Sequence, residues 1–431
     1  MVRIEEHKHL TENKPIEAAR LPALVVLPVL QHLGKPLDIL LVKPGDKVKR
    51  GQCLATAEKG VFSPIHASIS GTIKQIVDQP HPVVGFCRSL IIEGDGQDEP
   101  VAGMVPRRPQ ETDEITPDAL RRVIFESGIV GLGGATFPTH IKLTPSKSID
   151  TLIVNGAECE PYLTADDRLM VEKAEEITKG IVLVARVLKP KDVFIAVEDN
   201  KPAAVAAMRR FAECFGWEVV VLKTAYPQGG EKQVIKSCLG REVPSGRLPF
   251  DIGVVVQNVA TIYAIYEAVY LCKPLYERVM TVTGACLAHP KNLLVRLGTS
   301  VGDILDQCGP LLKEPKKIVM GGPMMGIAQF SRLTPVIKGT SGILALDEIE
   351  EKEEEESFCV RCGECVENCP VGLNPSMISM AIAKDRLDLA EAYGIMDCIE
   401  CGLCAYVCPG RRNIVQAIKT AKAKIRKKQG K

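Results

Sequence analysis

Hydrophobic and polar positions change rhythm along the chain. Over roughly the first hundred residues, short apolar runs alternate with turn signals. Residues 38–42 read as a β-run and Lys43-Pro44-Gly45-Asp46 as a turn; Val48, the Gly51-Gln52 turn, Cys53-Leu54-Ala55, His66-Ala67 and Ser70-Gly71-Thr72-Ile73 continue in that style. From residue 117 longer stretches take over, opened by Thr116 and Pro117, a cap and a first-turn proline. The pattern predicts a helix over 117–125, a glycine loop over 128–134, then strands at 151–154, 192–197 and 217–223. Helices are predicted between them at 167–188 and 202–214, and another from about Glu231. Such alternation argues for a mostly parallel α/β sheet. Residues 278–330 predict a smaller α+β unit, with strands at 278–283 and 317–320 and a helix over 301–308.

At 431 residues, the chain is too long for one core. Hydrophobic residues make up 46% and charged residues 25%, ordinary for a globular protein, and a net charge of +1 gives no field that would gather nucleic acid. Charge is uneven locally. Residues 347–356 are a run of acids interrupted by Ile349 and Lys352, read as an exposed linker, and 411–431 hold nine bases and no acid. The opening MVRIEEHKHL has no apolar core, so no secretory signal is expected. The longest apolar runs, at 23–30 and 181–188, fall far short of the roughly 18–20 residues that cross a bilayer.

Sixteen cysteines are present, and half of them lie in two arrays. The first is Cys359, Cys362, Cys365, Cys369 and Pro370; the second is Cys398, Cys401, Cys404, Cys408 and Pro409. Each matches the bacterial C-x2-C-x2-C-x3-C-P spacing of two-cluster ferredoxins, in which the fourth cysteine ligates the other cluster. The reading is therefore two 4Fe–4S sites: Cys359, Cys362, Cys365 and Cys408 at one, and Cys398, Cys401, Cys404 and Cys369 at the other. Zinc gains nothing from a third closely spaced cysteine or the proline. Tight arrays of this kind point to a reducing compartment, with the remaining cysteines as free thiols.

The glycine loop Gly128-Ile-Val-Gly131-Leu-Gly133-Gly134-Ala-Thr-Phe137-Pro138-Thr-His-Ile-Lys142 lets backbone N–H groups approach a phosphate. With N-G-A-E-C-E-P-Y from Asn155, Y-P-Q-G-G-E from Tyr226 and Q-N-V-A-T from Gln257, it resembles the flavin-bearing, NADH-binding subunit of respiratory complex I. G-T-S-V-G-D and V-M-G-G-P-M-M-G resemble the adjoining β-grasp (SLBB) domain, and V-K-P-G-D-K-V-K-R-G-Q resembles the barrel-sandwich hybrid of lipoyl and biotinyl carriers. Together with H-K-H-L-T-E-N-K-P-I and L-P-V-L-Q-H-L-G-K-P, the whole chain resembles the RnfC proteins of Rnf complexes, membrane-bound ferredoxin:NAD+ oxidoreductases that export sodium ions or protons.

The resemblance implies a multidomain α/β and α+β protein. Its expected parts are a barrel-sandwich hybrid over 1–105, a Rossmann-like FMN- and NADH-binding domain over 110–272, and a β-grasp domain over 275–332. An acidic linker over 333–357, a dicluster ferredoxin module over 358–410 and a basic helix over 411–431 complete the chain. It implies non-covalent FMN, with Gly131, Gly133, Gly134 and Lys142 at its phosphate and ribityl chain and Asn155, Glu158 and Asn258 at the flavin. Phe137, Glu160 and Glu231 are expected to serve NAD(H), and Tyr226, Gly229 and Gly230 to line the same site. No protein group is expected to act as catalyst, because hydride passes between cofactors. The implied partners are the other Rnf proteins, an iron–sulfur subunit among them, and the implied place is the cytoplasmic face of the membrane, as a peripheral subunit. A microcompartment corrinoid reductase built from the same modules is the alternative.

The loop departs from the complex I pattern, which usually has arginines at Val130 and Leu132, glycine at Thr136 and an acid at Ala157. Lys59 lacks the flanks of a lipoylated lysine, so it is read as unmodified. His66 and His140 have no ligand cluster around them and are read as structural. In the tail, Ile414, Ala417, Ile418, Ala421 and Ile425 fall at helical spacing, which fits a helix packed on the ferredoxin module or a basic face for anionic lipid or an acidic partner.

Overall fold

The computed structural model describes residues 2–348 and 356–428. An N-terminal arm carries β1 (Ile16–Ala18). Two small antiparallel sheets follow, one built around the long strands Gly71–His81 and Gly85–Gly94, the other from Ile39–Leu40, Cys53–Thr56 and Ile65–His66. After a helix at Pro117–Glu126, whose Thr116 cap accepts from the Ala119 N–H, the chain enters a parallel sheet. Its strands are β2 (Thr151–Gly156), β3 (Asp192–Glu198), β4 (Glu218–Leu222) and β5 (Val254–Asn258). Helices α1 (Ala165–Glu172), α2 (Glu231–Leu239) and α3 (Val259–Tyr270) belong to this unit. The helix predicted over 167–188 is two, broken at Lys173 with φ −130°.

The parallel sheet has the order β4–β3–β2–β5. From β2 the chain adds β3 and β4 on one side and then returns to place β5 on the other. The reversal opens a crevice beyond the carboxyl ends of β2 and β5, where ligands bind in open α/β sheets. Nearly continuous apolar strands, such as Leu152, Ile153 and Val154 in β2, follow from burial on both faces.

A six-stranded sheet follows, containing β6 (Glu277–Thr283), β7 (Lys291–Arg296), β8 (Lys317–Met320) and β9 (Gly342–Leu346). It corrects the sequence reading twice. β1 pairs in parallel with β7, so the arm leaves the barrel-sandwich unit to edge this sheet. β9 is wholly buried between β6 and β8, so 342–346 is a central strand rather than linker. Neighbourhood in sequence places both segments elsewhere, whereas their apolar residues are satisfied by distant strands. Asp347 is also buried, paired at 2.8 Å with Lys313. Residues 349–355 of the acidic run lie outside the described residues. The barrel-sandwich and six-stranded units share one core, joining Val25, Leu27 and Leu90 with Met280, Val282 and Leu293. The ferredoxin module has its own core, closed by α4 (Ile414–Lys428) through Ile414, Ile418, Ala421 and Ile425.

Candidate functional site

Asn155 and Asn258 face each other in register at the mouth of the crevice. Asn258 caps α3, its Oδ1 accepting from the N–H groups of Ala260 at 3.0 Å and Thr261 at 3.3 Å. Its Nδ2 donates to Asp166 at 2.6 Å. Asn155 accepts from the Ala157 N–H at 3.0 Å and donates to the Gly229 carbonyl at 2.9 Å. Gly229 lies so close to this wall that a Cβ would stand 2.1 Å from the Ala157 oxygen. Glu158 is buried, and its two oxygens receive the N–H groups of Asp166 and Asp167 in the first turn of α1. Both aspartates feel burial first and the Glu158 charge second, and their carboxyls are held above the usual range.

The glycine loop forms the facing wall. Arg278, fully buried, donates to the carbonyls of Leu132 and Lys338. Lys338, also fully buried, donates to the carbonyls of Gly128 at 2.6 Å and Pro64 at 2.7 Å. The Thr261 hydroxyl accepts from the Leu132 N–H at 2.9 Å, and the Leu33 N–H donates to the Thr136 carbonyl at 3.0 Å. A trans peptide turns its N–H opposite to its C=O. Pulling the Leu132 carbonyl inward therefore turns the Gly133 N–H outward. Among the described residues, no acceptor meets the N–H of Gly133, Gly134 or Ala135. Three consecutive open donors with no side chain beyond a methyl form a concavity suited to an anion such as the FMN phosphate. Gly134 has φ +114° with open space where a Cβ would stand, so glycine is required there for its conformation. Of the departures from the complex I pattern, Val130 and Leu132 are core residues, while Thr136 holds a left-handed φ of +49°, a conformation that favours the glycine of that pattern and strains a β-branched residue.

Lys142 lies behind the loop, its ammonium on the Glu231 carboxylate and, at 2.7 Å, on the Val256 carbonyl. Glu231 opens α2 directly after Gly230, where a negative charge suits the helix dipole. Phe137 stands half-buried at the end of the loop. Glu160 is turned toward Met324, whose N–H it accepts at 3.1 Å, and burial pushes its carboxyl up to about 7. Tyr226 is buried, and its O–H donates to the Cys401 carbonyl at 2.6 Å. The residues expected to serve one nucleotide site thus divide between the crevice and the ferredoxin module.

The cysteines fall into two groups. Cys359, Cys362, Cys365 and Cys408 line one cavity, and Cys369, Cys398, Cys401 and Cys404 line a second. The two arrays repeat one backbone device. Arg361 and Glu400, each just before a second cysteine, have φ +58°, and Gly363 and Gly402 follow with φ +89° and +83°. The second wrap turns the Glu400 N–H toward Cys398 Sγ at 3.4 Å, and beyond the first array the Leu373 N–H donates to Cys369 Sγ at 3.3 Å. Burial, with neighbouring thiols adding to it, pushes Cys401 up to about 11 and Cys404 up to about 12. Sulfurs gathered in this way fit a metal cluster, which binds them as thiolates.

The same modules are recognised by comparison. Residues 2–97 match the RnfC barrel sandwich hybrid domain, 124–267 the Nuo51 FMN-binding domain, 279–328 the SLBB domain and 351–409 the 4Fe-4S dicluster domain. The chain is 47% identical over 428 residues to the RnfC-type component of the proton-translocating ferredoxin:NAD(+) oxidoreductase complex of Clostridium ljungdahlii, covering 99% of this chain and 93% of that one. It is 42% identical over 421 residues to the corresponding component of the Na(+)-translocating complex of Acetobacterium woodii, covering 97% and 94%. The chain belongs to the RnfC family.

Among solved structures, an H2-reduced NAD+-reducing NiFe-hydrogenase superposes with a TM-score of 0.51 at 19% identity, covering 73% of this chain and 61% of that one, a likeness of fold. This RnfC-family chain has, among its described residues, no helix long and apolar enough to cross a membrane. Three of its site-building residues escaped the sequence reading: Lys8, Arg278 and Lys338. Lys8 reaches from the N-terminal arm to the carbonyls of Glu158, Glu160 and Leu163. Each is a basic side chain serving backbone oxygens far away in sequence, and no spacing rule marks such a residue. His66 and His140 are partly or fully buried, and burial lowers both imidazoles, His66 to about 3.

Proposed function

We propose that this chain is the peripheral subunit at which a membrane-bound ferredoxin:NAD+ oxidoreductase, coupled to Na+ or H+ export, exchanges electrons with NAD(H) on the cytoplasmic side. The observation that carries the reading is the joining, in one chain, of an anion-ready crevice at a topological switch point and two four-cysteine groups, one of which packs against Tyr226 of the flavin domain. FMN, when bound, takes or gives two electrons as hydride and exchanges single electrons with iron–sulfur clusters.

The residues have distinct tasks in this reading. Gly133, Gly134 and Ala135 receive the FMN phosphate on open backbone donors; Gly131, whose N–H is spent on the Phe137 carbonyl at 2.9 Å, shapes the loop, and Lys142, paired with Glu231, braces it. Asn155, Glu158 and Asn258 hold the crevice to the shape of the ring system by fixing backbone rather than by offering free groups. Phe137, Gly229, Gly230, Glu160 and Glu231 border the nicotinamide nucleotide's approach. Cys359, Cys362, Cys365 and Cys408 hold one 4Fe–4S cluster; Cys369, Cys398, Cys401 and Cys404 hold the other. Single electrons then reach partner subunits through the clusters. The names of the relatives favour this function over corrinoid reduction.

The test compares FMN-loaded and FMN-stripped protein in the reduction of NAD+ by a reduced viologen under anaerobic conditions. Turnover that requires FMN supports the reading. Equal turnover without FMN refutes it.

A further inference from the structure

The ferredoxin module meets the flavin domain and its neighbour through one of its two cysteine groups. Tyr226, Cys401 and Leu403 pack together in a small core to which Cys159 and Met324 add. A Cβ on Gly402 would stand 2.7 Å from the Met324 carbonyl oxygen, so backbone meets backbone there. Gln233 of α2 donates to the carbonyl of Pro370, next to Cys369, at 3.4 Å. The Ser245 hydroxyl donates to Asp397, next to Cys398, at 2.5 Å. Every one of these contacts falls on a residue that is, or adjoins, a cysteine of the Cys369, Cys398, Cys401 and Cys404 group. The other group looks outward: Cys362 is exposed, and Phe358 beside Cys359 is 94% exposed.

Tyr226 is the centre of this joint. Three residues on is Gly229, whose carbonyl holds Asn155 at the crevice mouth. One short loop therefore ends at the crevice wall on one side and at a cysteine carbonyl on the other. Groups that hydrogen-bond around a cluster ligand tune both its orientation and its potential.

Building on the reading above, we propose that Tyr226 is a positioning residue for the Cys369, Cys398, Cys401 and Cys404 site rather than a nucleotide contact, and that this inner site is the one exchanging single electrons with the crevice. Each exchange moves one electron and breaks no bond. The outer site, held by Cys359, Cys362, Cys365 and Cys408, then faces the protein that relays electrons onward.

The test is Tyr226→Phe in the full chain, with the two clusters' electron paramagnetic resonance signals assigned by Cys369→Ser and Cys408→Ser. The expected result is an altered signal from the inner cluster alone, normal FMN content and normal bleaching of the flavin by NADH. Viologen-driven NAD+ reduction should fall about tenfold, the usual scale for losing a partner of a metal ligand. Gly402→Ala, which forces Met324 away from the array, should disturb the same signal and serves if Tyr226→Phe does not fold. Loss of FMN or a raised KM for NADH with both signals unchanged would overturn the proposal in favour of a nucleotide contact. If the wild-type flavin is not reduced by NADH at all, the failure belongs to the proposed function and not to Tyr226.

Discussion

Asn155 and Asn258 sit opposite each other at the carboxyl ends of neighbouring parallel strands, and each spends its side chain on backbone and a neighbour rather than on open space. Their amides fix the two edges of the crevice: Asn155 ties β2 to the Gly229 turn, and Asn258 ties β5 to α3 and to Asp166. A cofactor entering between them meets walls already set, so little ordering is left for binding to impose.

Asn258→Ala removes the cap of α3 and the amide that partners the half-buried Asp166 carboxyl. The lost cap alone costs about 1 kcal/mol. Chemical denaturation should show at least that loss, accompanied by weaker FMN retention. Unchanged stability would mean that the cap is replaced by water.

Lys8→Met leaves the carbonyls of Glu158, Glu160 and Leu163 without their shared donor. Unsatisfied buried polar groups cost about 1–3 kcal/mol each, so a destabilisation of about 3 kcal/mol is expected even after the relief of removing a buried charge. Flavin retained per folded chain should fall as well, because the loop that Lys8 holds is a crevice wall.

Glu160 gives a pH signature. Burial raises its folded-state pKa from the ordinary 4.5 to about 7. Between those values the native state holds a proton that the unfolded state has released, so this group's contribution to stability falls as pH rises through the window. Glu160→Gln keeps an acceptor for the Met324 N–H and carries no charge. Thermal midpoints should nearly coincide at pH 5 and favour the variant at pH 8. A wild type that gains on the variant with rising pH would contradict the assignment.

The basic tail helix has two kinds of base. Lys422 is buried, donating to the Cys398 carbonyl at 2.8 Å and to Glu400 at 2.6 Å, while Lys424, Arg426, Lys427 and Lys428 are exposed. Lys422→Met should make the inner cluster more readily lost to chelator, and neutralising the exposed four should leave cluster content unchanged. Truncation before Lys422 would therefore confuse any test of lipid binding with loss of a cluster support.

Periodicity made the parallel sheet legible, because strands buried on both faces are written as apolar runs and the intervening helices carry their own caps. The cysteine arrays were legible because cluster ligation imposes a fixed spacing. β1 and β9 were not, since a three-residue and a five-residue strand draw their pairing from partners hundreds or tens of residues away. The site residues divide along the same line. Gly134 announces itself by its residue type, whereas Tyr226 was assigned by motif to the nucleotide, and its hydroxyl is found on Cys401. Arg278 and Lys338 satisfy carbonyls, which carry no sequence signature at all.

The most direct test is metal and flavin analysis of anaerobically purified protein, with spin quantitation after dithionite reduction. Two clusters and one flavin predict about eight irons, about two spins and about one FMN per chain. Zinc in place of iron, or a single cluster with no flavin, would contradict the account.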